Sequence, residues 1–211
     1  GLNRSLIYDL PREMTVKAGQ KCTAIRRVIA PRGVTDALVA ALGARLDKTV
    51  LGDPSAEATR MGPLASLDQR REVRERIREL QQEAEIVAGN PDAVRVASGD
   101  PEAGAFLNPV MLYADNPLAK SAIHDVEAFG PVATVMPYDD PGEAVALARR
   151  GKGSLVASVF TDDKAVAEEM VLGLAPFPGR VLIGNRLSAR TSTGHGSPLP
   201  TLVHGGPGRA G

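Results

Sequence analysis

Pro131-Val132-Ala133-Thr134-Val135-Met136-Pro137-Tyr138 runs eight residues without a charge, and Asp139-Asp140-Pro141-Gly142 follows at once. Such a run bounded by a turn signal predicts a strand over 131–138. The strand leads through this turn into a helix. A helix is therefore predicted over 143–150, followed by a second strand over 155–160. Strand, helix, strand is the repeating unit of a parallel sheet, and it assigns the chain to the α/β class.

The pattern extends in both directions. Upstream, the Ile- and Val-containing run 23–30 reads as a buried strand closed by Pro31. Thr35 can cap a helix whose Leu38, Val39, Leu42 and Leu46 recur at helical spacing. Ser66 and Gln69 form a capping box ahead of a long charged helix, where Val73, Ile77 and Leu80 make only a narrow apolar stripe. Short strands are predicted at 85–88 and 107–113. Downstream, Asp162 is placed to cap a helix carrying Val166, Met170 and Val171, and 180–183 makes a last strand before Asn185. Near the start, Asp9 and Pro11 suit a short helix over 12–18, which Gly19 would stop. The expectation is a mostly parallel sheet flanked by helices, with reactive groups at the carboxyl ends of strands.

Composition narrows the function. Of 211 residues, 25 are basic and 25 acidic, which gives no electrostatic reason for a nucleic-acid partner. No apolar stretch approaches the ~18 residues that cross a bilayer, and no signal-peptide pattern opens the chain. With one cysteine, the cytoplasm is the default compartment. There is no Trp, and only four Phe and three Tyr, which speaks against an aromatic platform for stacking bases. The chain starts without Met and ends in Gly205-Gly206-Pro207-Gly208-Arg209-Ala210-Gly211, so a piece of a longer polypeptide is expected.

The common chemical motifs are missing. There is no phosphate-binding loop, no Gly-x-Gly-x-x-Gly after a strand, and no paired-cysteine or His-Glu-x-x-His site. His124, His195 and His204 have no ligand spacing, so no metal is expected and structural or exposed roles are favoured for them. Cys22 stands in Gly19-Gln20-Lys21-Cys22-Thr23-Ala24, between a helix end and a strand. By residue type alone it reads slightly more readily as a buried structural thiol than as a nucleophile. Its setting argues the other way: Gly19 permits close backbone approach, Lys21 adds positive charge, and the turn offers N–H groups to an oxyanion. A cysteine-protease arrangement would need His and Asn or Asp partners that the sequence cannot bring together.

Five segments, in order, resemble the catalytic domain of the aldehyde dehydrogenase superfamily: Gly19-Gln20-Lys21-Cys22-Thr23-Ala24, Leu51-Gly52-Asp53-Pro54, Met61-Gly62-Pro63-Leu64, Glu127-Ala128-Phe129-Gly130-Pro131-Val132, and Gly184-Asn185. The stretches 12–22 and 192–200 are similar to one branch, the bifunctional proteins of bacterial phenylacetate degradation, in which this domain is joined to a hotdog-fold hydratase-like domain. Where the superfamily has Pro-Phe-Gly-Gly, this chain has Leu202-Val203-His204-Gly205-Gly206, consistent with that branch.

The resemblance implies that residues 1–211 form a catalytic domain, with the dinucleotide-binding region and any hydratase-like domain lying outside. It implies NADP- or NAD-linked oxidation of an aldehyde, such as a CoA-linked semialdehyde, through a thiohemiacetal and thioester on Cys22. Glu127 would bond the nicotinamide ribose hydroxyls and Phe129 would pack beside that end of the cofactor. The bland alternatives are a turn-capping Glu127 and a core Phe129. Asn185 would support the Cys22 loop through backbone hydrogen bonds, with substrate contact the less favoured role, and His195 is a candidate substrate or CoA contact with a structural role favoured. The general base and the side-chain oxyanion donor fall upstream of this chain, as does most of the cofactor site. Glu13 does not fill the base position. Residues 6–11 depart from the longer helix that leads to the cysteine in the superfamily, and Pro11 is expected to disrupt it. The isolated chain is therefore expected to be inactive and the full-length protein to be a homo-oligomer. Two rival readings remain: a truncated, non-catalytic binding or oligomerisation module, and a thiol enzyme of another type such as a thioesterase.

Overall fold

The computed structural model describes residues 4–187 and 194–197, with side chains described from Asp9 onward. The sequence features at 192–193, 198–200 and 202–206, with His204 and the glycine-rich end, lie outside the described residues.

The uncharged run becomes the longest strand, β4 (Val132–Tyr138), buried from Val132 through Met136 and on to Pro137. Numbered along the chain, its partners are β1 (Arg27–Pro31), β2 (Glu85–Ala88) and β3 (Val110–Tyr113). The sheet order is β1-β4-β3-β2. β1 and β3 run parallel to β4, with Val28 opposite Val135 and Leu112 opposite Thr134, and β2 closes the edge antiparallel to β3. Pro137 tolerates this central place for a local reason. Val135 accepts from Ala114 on the β3 side, and Pro137, two residues on, faces the same side after β3 has ended at Tyr113.

Both faces of the sheet are covered, as a parallel sheet requires. Val28, Ala30, Met111, Ala133 and Val135 point to one side, toward α1 (Arg4–Thr15) and α2 (Arg32–Leu46). Val110, Leu112, Val132 and Met136 point to the other, against α3 (Leu67–Leu80) through Val73, Ile77 and Leu80. A short α4 (Ala122–Asp125) precedes β4, and α5 (Pro141–Arg150) follows it. Beyond α5, β5 (Ala157–Phe160) and β6 (Val181–Gly184) pair in parallel as a second, two-stranded sheet, with α6 (Lys164–Leu174) between them in sequence. The sheet is mostly parallel and flanked by helices, as expected.

Capping follows local chemistry. Ser66 accepts from Gln69 N–H at 3.1 Å, as the capping box predicts. Asp140 accepts from Glu143 N–H at 3.0 Å while the Glu143 carboxylate accepts from Asp139 N–H at 2.7 Å, a reciprocal closure of the α5 start.

Four expectations are corrected. α1 is a twelve-residue helix that passes through Pro11 rather than starting beside it, so the long helix ahead of the cysteine is present after all. α2 begins directly after Pro31, and Thr35, inside it, donates its hydroxyl back to the Pro31 carbonyl at 3.0 Å instead of capping. α6 is capped by Asp163, which accepts from Ala165 and Val166, while Asp162 pairs with Arg186 at 2.6 Å. β1 starts at Arg27 rather than at residue 23, because residues 20–26 form a loop instead.

Candidate active site

The loop that carries Cys22 is set by backbone strain at its entrance. After α1 ends at Thr15, Lys17, Ala18 and Gly19 adopt φ of 55°, 53° and 71°, three successive left-handed residues. Side chains with a Cβ seldom take this conformation, and it persists where the surroundings enforce it. Gly19 is forced by contact as well: a Cβ there would run into the Gly130 carbonyl and lie 2.5 Å from Pro131 N. The turn thus lies directly on the Gly130-Pro131 peptide, and two distant sequence segments become neighbours.

Polar bonds hold the rest of the loop. The Gln20 amide donates to Gln69 at 3.1 Å and its carbonyl accepts from Ala65 N–H at 2.8 Å, tying the loop to the start of α3. Lys21 pairs with Glu13 of α1 at 3.1 Å, with both side chains largely buried. Its carbonyl accepts from Ala24 N–H at 3.0 Å and from Arg26 Nη2 at 3.3 Å. Cys22 lies half-buried at the crown, between this Lys21 anchor and the buried Thr23.

Glu127, Phe129 and their neighbours arrive from the other side. Glu83, after the end of α3, accepts from Ser121 and Ile123 N–H groups and so fixes α4; burial works against its ionisation, but these hydrogen bonds prevail and lower its pKa. The chain then turns tightly, with Gly130 N–H on Ala128 O at 2.7 Å, before entering β4. Glu127 does not cap this turn. Its Oε1 accepts from Arg26 Nε at 2.8 Å. Phe129 is not core: the residue is 38% exposed, and the Arg26 guanidinium sits 5.0 Å from the ring centroid.

His195 comes to the same loop from beyond β6. Its Nδ1 lies 2.6 Å from the Ser158 hydroxyl of β5, and it makes a hydrogen bond with the Thr23 backbone. Burial is the main cause that pushes its pKa down to about 4, against the pull of Glu13 toward the charged form. The imidazole is therefore neutral at physiological pH, and its ring bridges β5 to the residue after Cys22. Gly196 packs on the Lys21–Glu13 pair. Asn185 follows β6, and its side-chain carbonyl accepts from Leu187 N–H at 2.9 Å.

The fold thus assembles Cys22, Glu127, Phe129 and His195 around one loop. Arg26 and Glu13 were not singled out as site residues from sequence, although both bond within it. For Arg26 the available signal was a pair of arginines inside a run otherwise fit for a buried strand. His124, also buried, sits apart with Nε2 3.0 Å from Pro117 O. Among the described residues no group of three or more His, Cys, Asp or Glu could hold a metal, and no helix is long and apolar enough to cross a membrane.

The aldehyde dehydrogenase family is matched over residues 5–192. The chain is 47% identical over 201 residues to a 3,4-dehydroadipyl-CoA semialdehyde dehydrogenase of Aromatoleum evansii, covering 95% of this chain and 39% of that protein. It is 47% identical over 151 residues to protein MaoC of Klebsiella aerogenes, covering 72% of this chain and 44% of that one. Among solved structures, a betaine aldehyde dehydrogenase from Staphylococcus aureus in complex with NAD+ superposes with a TM-score of 0.76 at 26% identity, over 86% of this chain and 35% of that one. The chain spans less than half the length of these relatives.

Proposed function

This chain belongs to the aldehyde dehydrogenase family, and from that premise we propose that it is the catalytic domain of an NAD(P)-dependent aldehyde dehydrogenase whose nucleophile is Cys22. The observation that carries the reading is the meeting of the Cys22 loop with Glu127 and Phe129, clamped by Gly19 on Gly130-Pro131 and by Arg26.

The residues fit a nicotinamide cofactor at this end. Phe129 offers an exposed ring, and Glu127 engages Arg26 through Oε1 while Oε2 takes no hydrogen bond among the described residues, leaving an acceptor for a ribose hydroxyl. When bound, the cofactor supplies a hydride acceptor. The protein's part is covalent: the Cys22 thiolate attacks the aldehyde carbon, and the thiohemiacetal oxyanion takes a bond from the Cys22 backbone N–H. Loss of hydride leaves a thioester on Cys22, which water cleaves to the acid. The base for that water, a second oxyanion donor and most of the cofactor site come from sequence outside these residues. Glu13 is committed to Lys21 and leaves the base role to another group. His195 is assigned to supporting the loop through Thr23, and Asn185 is given the same role on the resemblance alone.

For substrate, the 47% identity to a protein named 3,4-dehydroadipyl-CoA semialdehyde dehydrogenase supports a CoA-linked semialdehyde; its place in phenylacetate degradation is proposed from the resemblance of residues 12–22 and 192–200 alone. The full-length protein is assigned to the cytoplasm and to a homo-oligomer. The chain alone is proposed to be inactive. The test is NAD(P)H production by the full-length polypeptide from a CoA semialdehyde, against Cys22→Ser. Loss of turnover in the variant supports the assignment, and undiminished turnover removes it. Calorimetry on the isolated chain should detect no NADP binding; micromolar affinity would contradict the division of the cofactor site.

A further inference from the structure

Arg26 bridges the cysteine loop and the Glu127–Phe129 segment. Its Nε bonds Glu127 at 2.8 Å, its Nη2 bonds the Lys21 carbonyl at 3.3 Å, and its guanidinium carbon lies 5.0 Å from the centroid of Phe129. The side chain is only 9% exposed, and its Nη1 is buried without a hydrogen-bond partner among the described residues. Arg27, its neighbour, serves the scaffold instead, donating to the Leu147 and Ala148 carbonyls at the end of α5.

We infer that Arg26 is a positioning residue that sets the Glu127 carboxylate and the Phe129 ring relative to the cysteine loop, and so tunes the grip on the nicotinamide-ribose end of the cofactor. This rests on the proposed contact of Glu127 with that ribose. A guanidinium suits the task because its planar fork can bond a carboxylate and a carbonyl while its face covers an aromatic ring. A lysine can meet one of these partners but has no fork to hold all three. The Glu127 carboxylate, fixed through Oε1, presents Oε2 in one orientation rather than many, so the entropy of ordering it is already spent before the cofactor arrives.

The test uses the full-length polypeptide and the dinucleotide KM and kcat at saturating aldehyde, for Arg26→Gln, Arg26→Lys, Glu127→Gln and the double variant Arg26→Gln/Glu127→Gln. Glu127→Gln is expected to raise the dinucleotide KM about tenfold, the scale of one charge-assisted hydrogen bond. Arg26→Gln should raise it comparably, with a smaller effect on kcat. Arg26→Lys should fall between Arg26→Gln and the parent, and the double variant should be no worse than the more impaired single one, because Arg26 acts through Glu127. If Glu127→Gln raises KM but Arg26→Gln does not, the inference on Arg26 fails and the ribose contact stands. If Glu127→Gln leaves KM unchanged, the underlying reading fails and takes the inference with it. Additive losses in the double variant also overturn it. Should Arg26→Gln not fold, Arg26→Lys decides: a KM equal to the parent's refutes the need for the fork.

Discussion

Gly19→Ala perturbs the contact on which the site depends, and its cost can be worked from two independent terms. The residue sits at φ 71°, where an added Cβ costs roughly 1–2 kcal/mol in backbone strain. That Cβ would also lie 2.5 Å from Pro131 N and closer still to the Gly130 carbonyl, atoms that cannot swing aside like the end of a side chain. Overpacking against a rigid buried neighbour costs about 1–3 kcal/mol. The sum is a loss of roughly 2–5 kcal/mol. Gly33→Ala is the matched control, because its Cβ meets nothing within 4 Å and its backbone is already helical in α2. There the smaller entropy of the unfolded chain should stabilise the protein by about 0.4–1 kcal/mol. Urea unfolding followed by far-UV circular dichroism measures both. A Gly19→Ala midpoint that corresponds to a change of less than about 0.5 kcal/mol would refute the claimed packing of the turn on Gly130-Pro131.

Further expectations follow from single residues. Asp140→Ala removes the cap of α5 and should cost about 1 kcal/mol in the same unfolding assay, with no change predicted for Asp139→Asn beyond its exposed pairing with Arg32. Ile77→Ala, fully buried beneath the sheet, should cost about 2–5 kcal/mol, and a smaller loss would mean that the α3 face is loosely packed. His195 is held below its ordinary 6.5 at about 4, so the unfolded chain binds its proton first. Its contribution to stability is therefore fully present above pH 6.5 and is lost as pH falls toward 4. A His195→Gln variant should show a flatter fall in melting temperature across that window, and an unchanged slope would contradict the buried neutral imidazole.

Much of the scaffold could be read from local chemistry. The strand at 85–88, the Ser66 cap and the helix after Asp139-Asp140-Pro141-Gly142 each depend on residues within a few positions of one another, which is the range over which pattern carries information. The errors have equally local causes. Asp162 and Asp163 are both competent caps, and only the Arg186 partner of Asp162 separates them. Pro11 looked like a helix opener because sequence does not tell how far a helix already extends behind it. The extended reading of 23–30 overshot because residues 20–26 are drawn into bonds with Glu13, Ala65, Gln69 and Glu127. At the site, Cys22, Glu127 and Phe129 stood out as segments of a resemblance. For Arg26 the arginine pair marked an oddity in the strand run but not its partner, since Glu127 lies 101 residues away and no periodicity connects them.

The central claim is that Cys22 forms a covalent bond to the aldehyde, and acid quenching within a turnover tests it most directly. The full-length polypeptide is mixed with aldehyde and NAD(P)+, quenched and digested with trypsin, which cuts after Lys21 and Arg26 and leaves Cys22-Thr23-Ala24-Ile25-Arg26 as one peptide. Mass spectrometry should find the acyl thioester on that peptide, formed together with NAD(P)H. Production of NAD(P)H with no acyl group on the peptide at any time during turnover would contradict the account.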